Sequence, residues 1–345
     1  MSGHRDRRVP ALIALAAVLG VALVVVAVLL VRERNSGTEV VEPATRSSTT
    51  MNEATSTTVA VRRPSGSDTA GRVDGGKLDG GKVEDGVRIQ TGYLADGVVQ
   101  RPYLVYSPAD ADPAVKLPMV MALHGRGVTS QQLAREVAWK SAVATDRFVA
   151  VFPQGVFDSW NAGPCCPPAS ALGTNDVGFL DRVVAAVSER GDVDPARRYL
   201  TGFSNGGIMT YTMACQRPDE FAAFAPMSGS NLTGCSPPHP VSLLHQHGVP
   251  DFVVPFNGEP SPSQVLSSAP FPSVPATLDA WARDDGCPVP PKVVDEGRGV
   301  TRTTWSNCGL GTTVELLTYP GNGHAWPKGP VDGLDELLRF FGIRS

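Results

Sequence analysis

Short apolar runs alternate with helical stretches over most of the chain beyond Val87. The apolar runs are bounded by glycine or proline and predict strands at Tyr103–Tyr106, Pro118–Leu123, Phe148–Phe152, Arg198–Thr201, Phe221–Pro226, Ser242–Gln246 and Thr313–Thr318. Helices are predicted at Gln131–Ala144, Gly178–Glu189, Gly206–Cys215, Ala276–Asp284 and Val331–Phe341. This alternation is typical of an α/β domain. We therefore predict one doubly wound domain with a mostly parallel sheet over residues 87–345.

The N-terminus has a different pattern. Three arginines precede an apolar run at residues 9–31, and Arg32 follows it. The run contains no polar side chain from Ala11 to Val31, which is about 31 Å as a helix and matches the hydrocarbon core of a bilayer. We predict a single transmembrane signal anchor at 9–31, with residues 1–8 as a short cytoplasmic tail. A cleaved signal peptide and a secreted product are the alternative.

Residues 32–86 are rich in Ser, Thr and Gly and almost lack aromatic residues, so they predict a flexible linker. The chain of 345 residues has a net charge of −4, and its lysines and arginines form no basic stripe. Both observations argue against nucleic-acid binding. The tether to the membrane is the only macromolecular contact that the sequence predicts.

All six cysteines follow the apolar run: Cys165, Cys166, Cys215, Cys235, Cys287 and Cys308. An even number in an exported domain predicts disulfides. Pairing Cys215 with Cys235 and Cys287 with Cys308 closes two short loops. The adjacent Cys165 and Cys166 form either a vicinal disulfide or free thiols. No C-x-x-C pair exists, so no metal site is predicted.

One pentapeptide links a predicted strand to a predicted helix. Gly202-Phe-Ser204-Asn-Gly206 follows the strand Arg198–Thr201. A G-x-S-x-G sequence in this setting is the nucleophile elbow of the α/β-hydrolase fold. The sharp turn strains the serine backbone, and its glycine neighbours avoid steric clashes. We predict Ser204 as a nucleophile at a helix N-terminus.

The catalytic triad of that fold runs serine, acid, histidine along the chain. His324 is the only histidine after Asp251, and it lies in a glycine-rich loop. We predict His324 as the general base and Asp251, just beyond the strand Ser242–Gln246, as the residue that orients it. Rival acids are Asp279, Asp284, Asp285, Asp295 and Glu315.

A second glycine-containing loop follows the strand Pro118–Leu123. It reads His124-Gly-Arg126-Gly, where the fold places an oxyanion donor. We predict the backbone N–H groups of Arg126 and Asn205 as the oxyanion hole. Three residues are predicted to line the substrate pocket: Trp160, His124 and Trp326. For His124, bracing of its loop is the alternative.

Further motifs occur in chain order around these residues: Leu123-His-Gly-Arg-Gly, Pro153-Gln-Gly, Ser159-Trp-Asn-Ala-Gly, Asp176-Val-Gly-Phe-Leu, Gly202-Phe-Ser-Asn-Gly-Gly, His247-Gly-x-x-Asp251 and Gly323-His324-Ala-Trp326-Pro327. Together they resemble the polyhydroxybutyrate depolymerase, feruloyl esterase and acetylxylan esterase group of secreted α/β-hydrolases, nearest its LpqC-like members. The resemblance covers about Tyr103 to Phe341. It implies the triad Ser204, Asp251 and His324, and disulfides equivalent to Cys215–Cys235 and Cys287–Cys308.

The sequence thus predicts a membrane-tethered serine esterase outside the cytoplasm. It would form an acyl-enzyme without a cofactor, and its substrates would be small or carbohydrate esters of feruloyl, acetyl or short hydroxyacyl groups. A serine peptidase of the prolyl-oligopeptidase type is one alternative, because it shares the fold. A catalytically silent wall-binding module is the other.

Overall fold

One sheet organises the part of the protein that the computed structural model describes, which is residues 76–97, 99–258, 267 and 269–345. Its eleven strands are β1 (Lys82–Glu84), β2 (Val87–Asp96), β3 (Val99–Pro108), β4 (Leu117–Leu123), β5 (Val149–Pro153), β6 (Val193–Phe203), β7 (Ala223–Met227), β8 (Ser242–Gly248), β9 (Lys292–Gly297), β10 (Val300–Trp305) and β11 (Val314–Tyr319).

The centre of this sheet is parallel and both of its edges are antiparallel. The spatial order is β1-β2-β3-β5-β4-β6-β7-β8-β11-β10-β9. All neighbours from β5 to β11 in this order pair in parallel, whereas the strands outside them pair antiparallel. Every parallel strand is among those that the sequence predicts. The prediction of a mostly parallel sheet is therefore correct for the centre, but the whole sheet is mixed.

Helices cover both faces of the sheet. They are α1 (Ser130–Glu136), α2 (Trp139–Asp146), α3 (Ala169–Leu172), α4 (Asp176–Ser188), α5 (Asn205–Gln216), α6 (Val274–Asp284) and α7 (Gly333–Phe340). Buried side chains of α4, α5 and α6 share one apolar cluster with the sheet. Those of α1, α2 and α7 share a second cluster. This is the predicted doubly wound arrangement.

The central strand β4 explains why two helical layers are needed. All of its residues are buried. Met119 and Met121 pack in the cluster with α4, α5 and α6, and Val120 and Ala122 pack in the cluster with α1, α2 and α7. Side chains alternate across a strand, so a run that is apolar at every position must be covered on both faces.

The predicted helix Gln131–Ala144 is two helices in the structure. Helix α1 ends where Val137 turns to an extended backbone, with φ −104° and ψ 150°. The chain then starts α2 at Trp139, whose fully buried ring packs against Phe148 and Phe152. The break turns this large ring into the core, and helical periodicity alone does not reveal it.

Four of the antiparallel edge strands, β1, β2, β9 and β10, were not predicted, whereas β3 was predicted at Tyr103–Tyr106. Strand β1 lies inside the segment 32–86 that the sequence assigns to a linker, yet it pairs with β2. Its side chains are largely exposed, and β9 has no buried residue. Strand β10 is buried only at its two ends. Such edge strands are held by backbone hydrogen bonds with little apolar burial, so their sequences lack the pattern that marks central strands.

The described cysteines form three disulfides. Two of them are the predicted pairs, Cys215–Cys235 and Cys287–Cys308. The adjacent Cys165 and Cys166 form the third, a vicinal disulfide, which was one of the two states left open by the sequence. Disulfides persist in oxidising compartments, so this set fits a domain that resides outside the cytoplasm.

In the described part of the chain, no helix has both the length and the apolar character to cross a bilayer. The predicted anchor at residues 9–31 lies outside the described residues.

Asp285 lies just beyond α6 and gives the core a pH-dependent stability. Its side chain is buried and accepts a hydrogen bond from Val241 N at 3.3 Å. Burial raises its pKa to about 6 from an ordinary 3.8. The folded state thus binds this proton more tightly than the unfolded state, and the associated stability is lost as the pH rises from about 4 to 6.

We therefore expect Asp285→Asn to raise the free energy of unfolding by about 1–3 kcal/mol near pH 8 and to change it little near pH 4. Urea unfolding of both proteins at the two pH values measures the difference. An equal effect at both values would contradict the assigned titration.

Candidate active site

Ser204 occupies a sharp turn between β6 and α5. Its backbone has φ 56° and ψ −119°, a conformation that L-residues rarely adopt. A Cβ on Gly202 would overlap Gly206 O, and a Cβ on Gly206 would overlap Leu123 O. Both glycines are therefore required by close backbone approach, as the G-x-S-x-G sequence predicts.

The structure brings the three predicted triad side chains together. His324 Nε2 lies 2.8 Å from Ser204 Oγ, and His324 Nδ1 lies 2.7 Å from Asp251 Oδ2. An ionised carboxylate only accepts hydrogen bonds, so Nδ1 carries a hydrogen and donates it. Nε2 is then free to accept the hydroxyl hydrogen of Ser204. This is the arrangement in which an imidazole can remove a proton from a serine.

Asp251 is reached through a turn after β8. Its Oδ1 accepts hydrogen bonds from Val253 N and Val254 N, both at 2.9 Å. Burial alone would raise its pKa, but the hydrogen bonds from His247 and His324 outweigh burial and hold the pKa well below its usual range. The Asp251 carboxylate is therefore ionised in the folded protein near neutral pH.

The rival acids bind elsewhere in the described structure. Asp284 accepts from Ser236 Oγ, Asp285 accepts from Val241 N, and Glu315 pairs with Arg302. Asp279 is in α6 and Asp295 is in β9. Among the described residues, Asp251 is the carboxylate that hydrogen-bonds to His324.

The loop that carries His324 packs directly on the end of β8. A Cβ on Gly248 would overlap Asn322 O, so the two segments touch through their backbones. Asn322 Nδ2 donates to Ala325 O at 2.7 Å, which closes the loop around the histidine. The ring of Phe203 lies 4.9 Å from the His324 ring. These contacts hold the imidazole over the sheet edge.

The predicted oxyanion segments border Ser204 on two sides. Asn205 is the first residue of α5. On the other side, a Cβ on Gly125 would lie 3.4 Å from Ser204 Cβ, so the chain entering Arg126 passes beside Ser204. The Arg126 side chain binds a different segment, where its Nε donates to Pro167 O at 2.7 Å.

Two residues predicted to line the pocket are instead fully buried: Trp160 and His124 are each 0% exposed. Trp160 Nε1 donates to His124 O at 2.9 Å, and the Trp160 backbone exchanges two hydrogen bonds with the Asn205 side chain. Both side chains are therefore packed inside the protein, where they hydrogen-bond to the segments next to Ser204. The motif Ser159-Trp-Asn-Ala-Gly does not indicate whether its tryptophan is buried or exposed, which explains the difference.

The protonation of His124 follows from its partners. Gly155 N donates to its Nε2 at 2.9 Å, so the ring hydrogen lies on Nδ1 and points to Gly125 O at 2.9 Å. Burial lowers its pKa to about 4, so the ring stays neutral. These hydrogen bonds join the His124 loop to Gly155 and favour the loop-bracing alternative.

Trp326, the third predicted pocket residue, is partly buried. Its ring stacks on Phe203 at 6.4 Å and meets Trp139 edge-on at 6.1 Å. These contacts anchor the histidine loop to the core.

A buried ion pair that sequence reasoning missed supports the same region. Arg101 Nη2 lies 2.6 Å from Asp176 Oδ1, and both residues are almost fully buried. Asp176 Oδ2 accepts from Asn161 N at 2.7 Å, next to Trp160. Asp176 is the first residue of α4, and the preceding Asn175 caps this helix by accepting a hydrogen bond from Gly178 N. One feature of the sequence could have indicated this pair, because Arg101 is the single charged residue of strand β3.

His247 is a second missed residue, since its Nε2 lies 3.4 Å from Asp251 Oδ2. His245 and His247 are two positions apart on buried β8, so they share one face of the strand. That spacing could have indicated a histidine pair behind the acid. In the described residues, no group of three or more His, Cys, Asp or Glu side chains could hold a metal ion.

The family model Esterase, described as "Putative esterase", matches residues 100–301. This chain belongs to the Esterase family. The match contains the elbow, Asp251 and both oxyanion segments, and it ends before His324.

Named relatives agree with this assignment. The chain is 33% identical to feruloyl esterase C of Emericella nidulans over 266 residues, which is 72% of this chain and 87% of that protein. It is 31% identical to feruloyl esterase B of Piromyces equi over 229 residues, or 64% of this chain and 40% of that protein. For three of the curated relatives, the match spans only 66%, 40% and 32% of their lengths.

A solved structure shows the same fold. The acetyl xylan esterase from Aspergillus awamori has a TM-score of 0.53 at 17% identity, covering 73% of this chain and 99% of its own. The fold is thus α/β-hydrolase-like. The resemblance to the feruloyl and acetylxylan esterase group is confirmed.

Proposed function

We propose that this protein is a serine carboxylic-ester hydrolase that acts through an acyl-enzyme. The observation that carries the proposal is the continuous hydrogen-bonded series from Ser204 through His324 to Asp251. Membership of the Esterase family supports ester hydrolysis as the reaction. Ser204 is the proposed nucleophile, His324 the general base and Asp251 the residue that orients it.

In the first half of the reaction, Ser204 Oγ attacks the ester carbonyl carbon while its proton moves to His324 Nε2. The carbonyl oxygen becomes an oxyanion, for which the backbone N–H groups of Arg126 and Asn205 are the proposed donors. Asp251 stabilises the imidazolium without taking its proton. Collapse of the tetrahedral intermediate breaks the bond to the alcohol oxygen, which leaves with the proton from His324.

In the second half, a water molecule replaces the alcohol. His324 Nε2 takes a proton from this water as the oxygen attacks the acyl-serine carbonyl. The second tetrahedral intermediate then releases the carboxylic acid, and the proton returns from His324 to Ser204 Oγ. These steps need neither a metal nor an organic cofactor.

Two exposed aromatic residues are close along the chain to residues of the site or of its neighbouring loop. Phe252 directly follows Asp251 and is 71% exposed. Phe157 is 69% exposed, and its neighbour Asp158 accepts a hydrogen bond from Gly127 N at 2.8 Å in the Arg126 loop. Aromatic faces of this kind stack on aromatic rings and on sugars. With relatives named feruloyl and acetylxylan esterases, we propose feruloyl or acetyl esters of carbohydrates as substrates, with short hydroxyacyl esters as a further class.

We also propose that the enzyme works outside the cytoplasm, which its three disulfides support. The sequence of residues 9–31 favours a tether to the membrane over release after cleavage. Recovery of full-length protein in carbonate-washed membranes would support the tether. Recovery of a shortened protein in the medium would favour the cleaved alternative.

An ester panel tests the activity. Purified protein is given methyl ferulate, an acetylated xylan oligomer, a 3-hydroxybutyrate oligomer and the amide that matches the ferulate ester. We expect turnover of the feruloyl or acetyl ester and none of the amide. Preferential cleavage of the amide would favour a peptidase. Absence of all turnover, together with no labelling by a fluorophosphonate probe, would favour a silent binding module.

A further inference from the structure

A series of buried polar side chains connects Asp251 to the core. Tyr211 Oη lies 2.7 Å from His245 Nδ1, and His245 Nε2 lies 2.9 Å from His247 Nδ1. His247 Nε2 lies 2.9 Å from Val254 O and 3.4 Å from Asp251 Oδ2. Tyr211 is 1% exposed and both histidines are 0% exposed. The steps of ester hydrolysis described above do not use these groups.

One helix and one strand build this series. Tyr211 is on α5, the helix that begins after Ser204, and the two histidines are on β8, the strand that leads to Asp251. The histidine rings stack 5.2 Å apart with an interplanar angle of 9°. Trp281 packs on Tyr211, and Phe256 packs on His247. The three side chains are thus buried and are packed against aromatic rings.

The hydrogen bonds have a definite direction. Burial raises the pKa of Tyr211, so its phenol keeps a hydrogen to donate, and His245 is its only hydrogen-bond partner among the described residues. Burial, with a smaller contribution from His247, holds the pKa of His245 well below its usual range, so this ring is neutral. Since Nδ1 of His245 accepts, its Nε2 carries the hydrogen and donates to His247.

His247 therefore accepts at Nδ1 and carries its own hydrogen on Nε2. That one N–H is shared between Val254 O and Asp251 Oδ2. Val254 N in turn donates to Asp251 Oδ1 at 2.9 Å. The series thus ends on both oxygens of the carboxylate, on one directly and on the other through the backbone of Val254.

We propose that Tyr211, His245 and His247 are positioning residues that hold the Asp251 carboxylate in the orientation that His324 requires. This role rests on the proposed function, because it concerns the triad of that reaction. A neutral N–H orients a carboxylate without neutralising it, whereas a lysine or arginine at the same place would compete with the imidazolium for its charge. Asp251 therefore keeps its full effect on His324.

Replacement of His247 tests the role. We expect His247→Met to lower kcat by about 10- to 100-fold with little change in KM, because one charge-assisted hydrogen bond is lost. His247→Gln, whose amide can donate from a similar position, is expected to recover most of the loss. His239→Gln is the matched control, since His239 pairs with Asp219 at the surface. The rate of fluorophosphonate labelling of Ser204 should follow the same order.

A purely structural role predicts other results. A His247→Met protein with lower thermal stability but unchanged kcat would overturn the proposal, as would a His247→Gln protein whose kcat is no higher than that of His247→Met. If the methionine variant does not fold, Tyr211→Phe takes its place. It removes only the first donor, and we expect a loss of kcat that is smaller than for His247→Met, against no loss for the control Tyr103→Phe.

Nuclear magnetic resonance of ¹⁵N-histidine-labelled wild-type protein gives a readout that needs no substrate. We expect His245 and His247 to carry hydrogen on Nε2 and none on Nδ1 from about pH 6 to 8. Hydrogen on Nδ1 of His247 would overturn the proposal whether or not the protein hydrolyses esters. Conversely, the expected tautomers in a protein that cleaves no ester would leave this hydrogen-bonded series intact and reject only the proposed reaction.

Discussion

Ser204→Ala is expected to lower kcat for the preferred ester by about 10⁴- to 10⁶-fold, with KM changed little. The mutation removes the oxygen that would form the acyl-enzyme but leaves the elbow glycines and the oxyanion amides in place. The residual rate comes from binding and from stabilisation of the oxyanion. Steady-state kinetics of purified protein measure the loss, and mass spectrometry after fluorophosphonate treatment shows whether the label is absent.

Ser188→Ala is the matched control for this experiment. Ser188 is in the last turn of α4, its hydroxyl is buried, and it has no hydrogen-bond partner among the described residues. We expect this variant to retain wild-type kinetics and labelling. If Ser204→Ala kept substantial turnover, or still took up one equivalent of the probe, the nucleophile would have to be another residue.

Asp251→Asn is expected to lower kcat by about 10⁴-fold. An asparagine side chain can present its N–H₂ group to His324 Nδ1, which would then accept and force the ring hydrogen onto Nε2. That tautomer cannot take the proton of Ser204. The substitution also removes the charge that stabilises the imidazolium. The fold should be retained, because the amide oxygen can still accept from Val253 N and Val254 N.

A surface carboxylate provides the comparison for Asp251. The Asp219 side chain is 89% exposed and pairs with His239, so Asp219→Asn should be kinetically silent. Circular dichroism of Asp251→Asn checks that the structure is intact. A folded Asp251→Asn protein with kcat within about tenfold of wild type would mean that another group orients His324.

The sequence was most informative where local backbone geometry restricts residue choice. The elbow needs Gly202 and Gly206, so its pattern is visible without a structure, and chain order then selects His324. The central strands are visible because both of their faces are buried. Edge strands such as β9 bury almost nothing, and a run of charged and polar residues looks the same in a loop.

Whether a residue near the site is buried or exposed could not be predicted from the sequence either. Trp160 lies in a polar motif that is compatible with a pocket wall. In the structure it is buried and forms hydrogen bonds to Asn205 and His124. The series from Tyr211 to Asp251 joins a helix to a strand, and no spacing along the chain reveals such a contact. The roles of Ser204, Asp251 and His324 remain predictions that the variants above test.

The Arg101–Asp176 pair has a consequence for engineering of substrate preference. It joins β3 to the start of α4 beneath the segment that holds Trp160 and Asn161. A graft that exchanges β3 or the start of α4 for that of another esterase must keep both members of the pair, because a lone charge left in the interior costs about 3–5 kcal/mol. Chimeras designed from surface loops alone are expected to fail through misfolding before their selectivity can be measured.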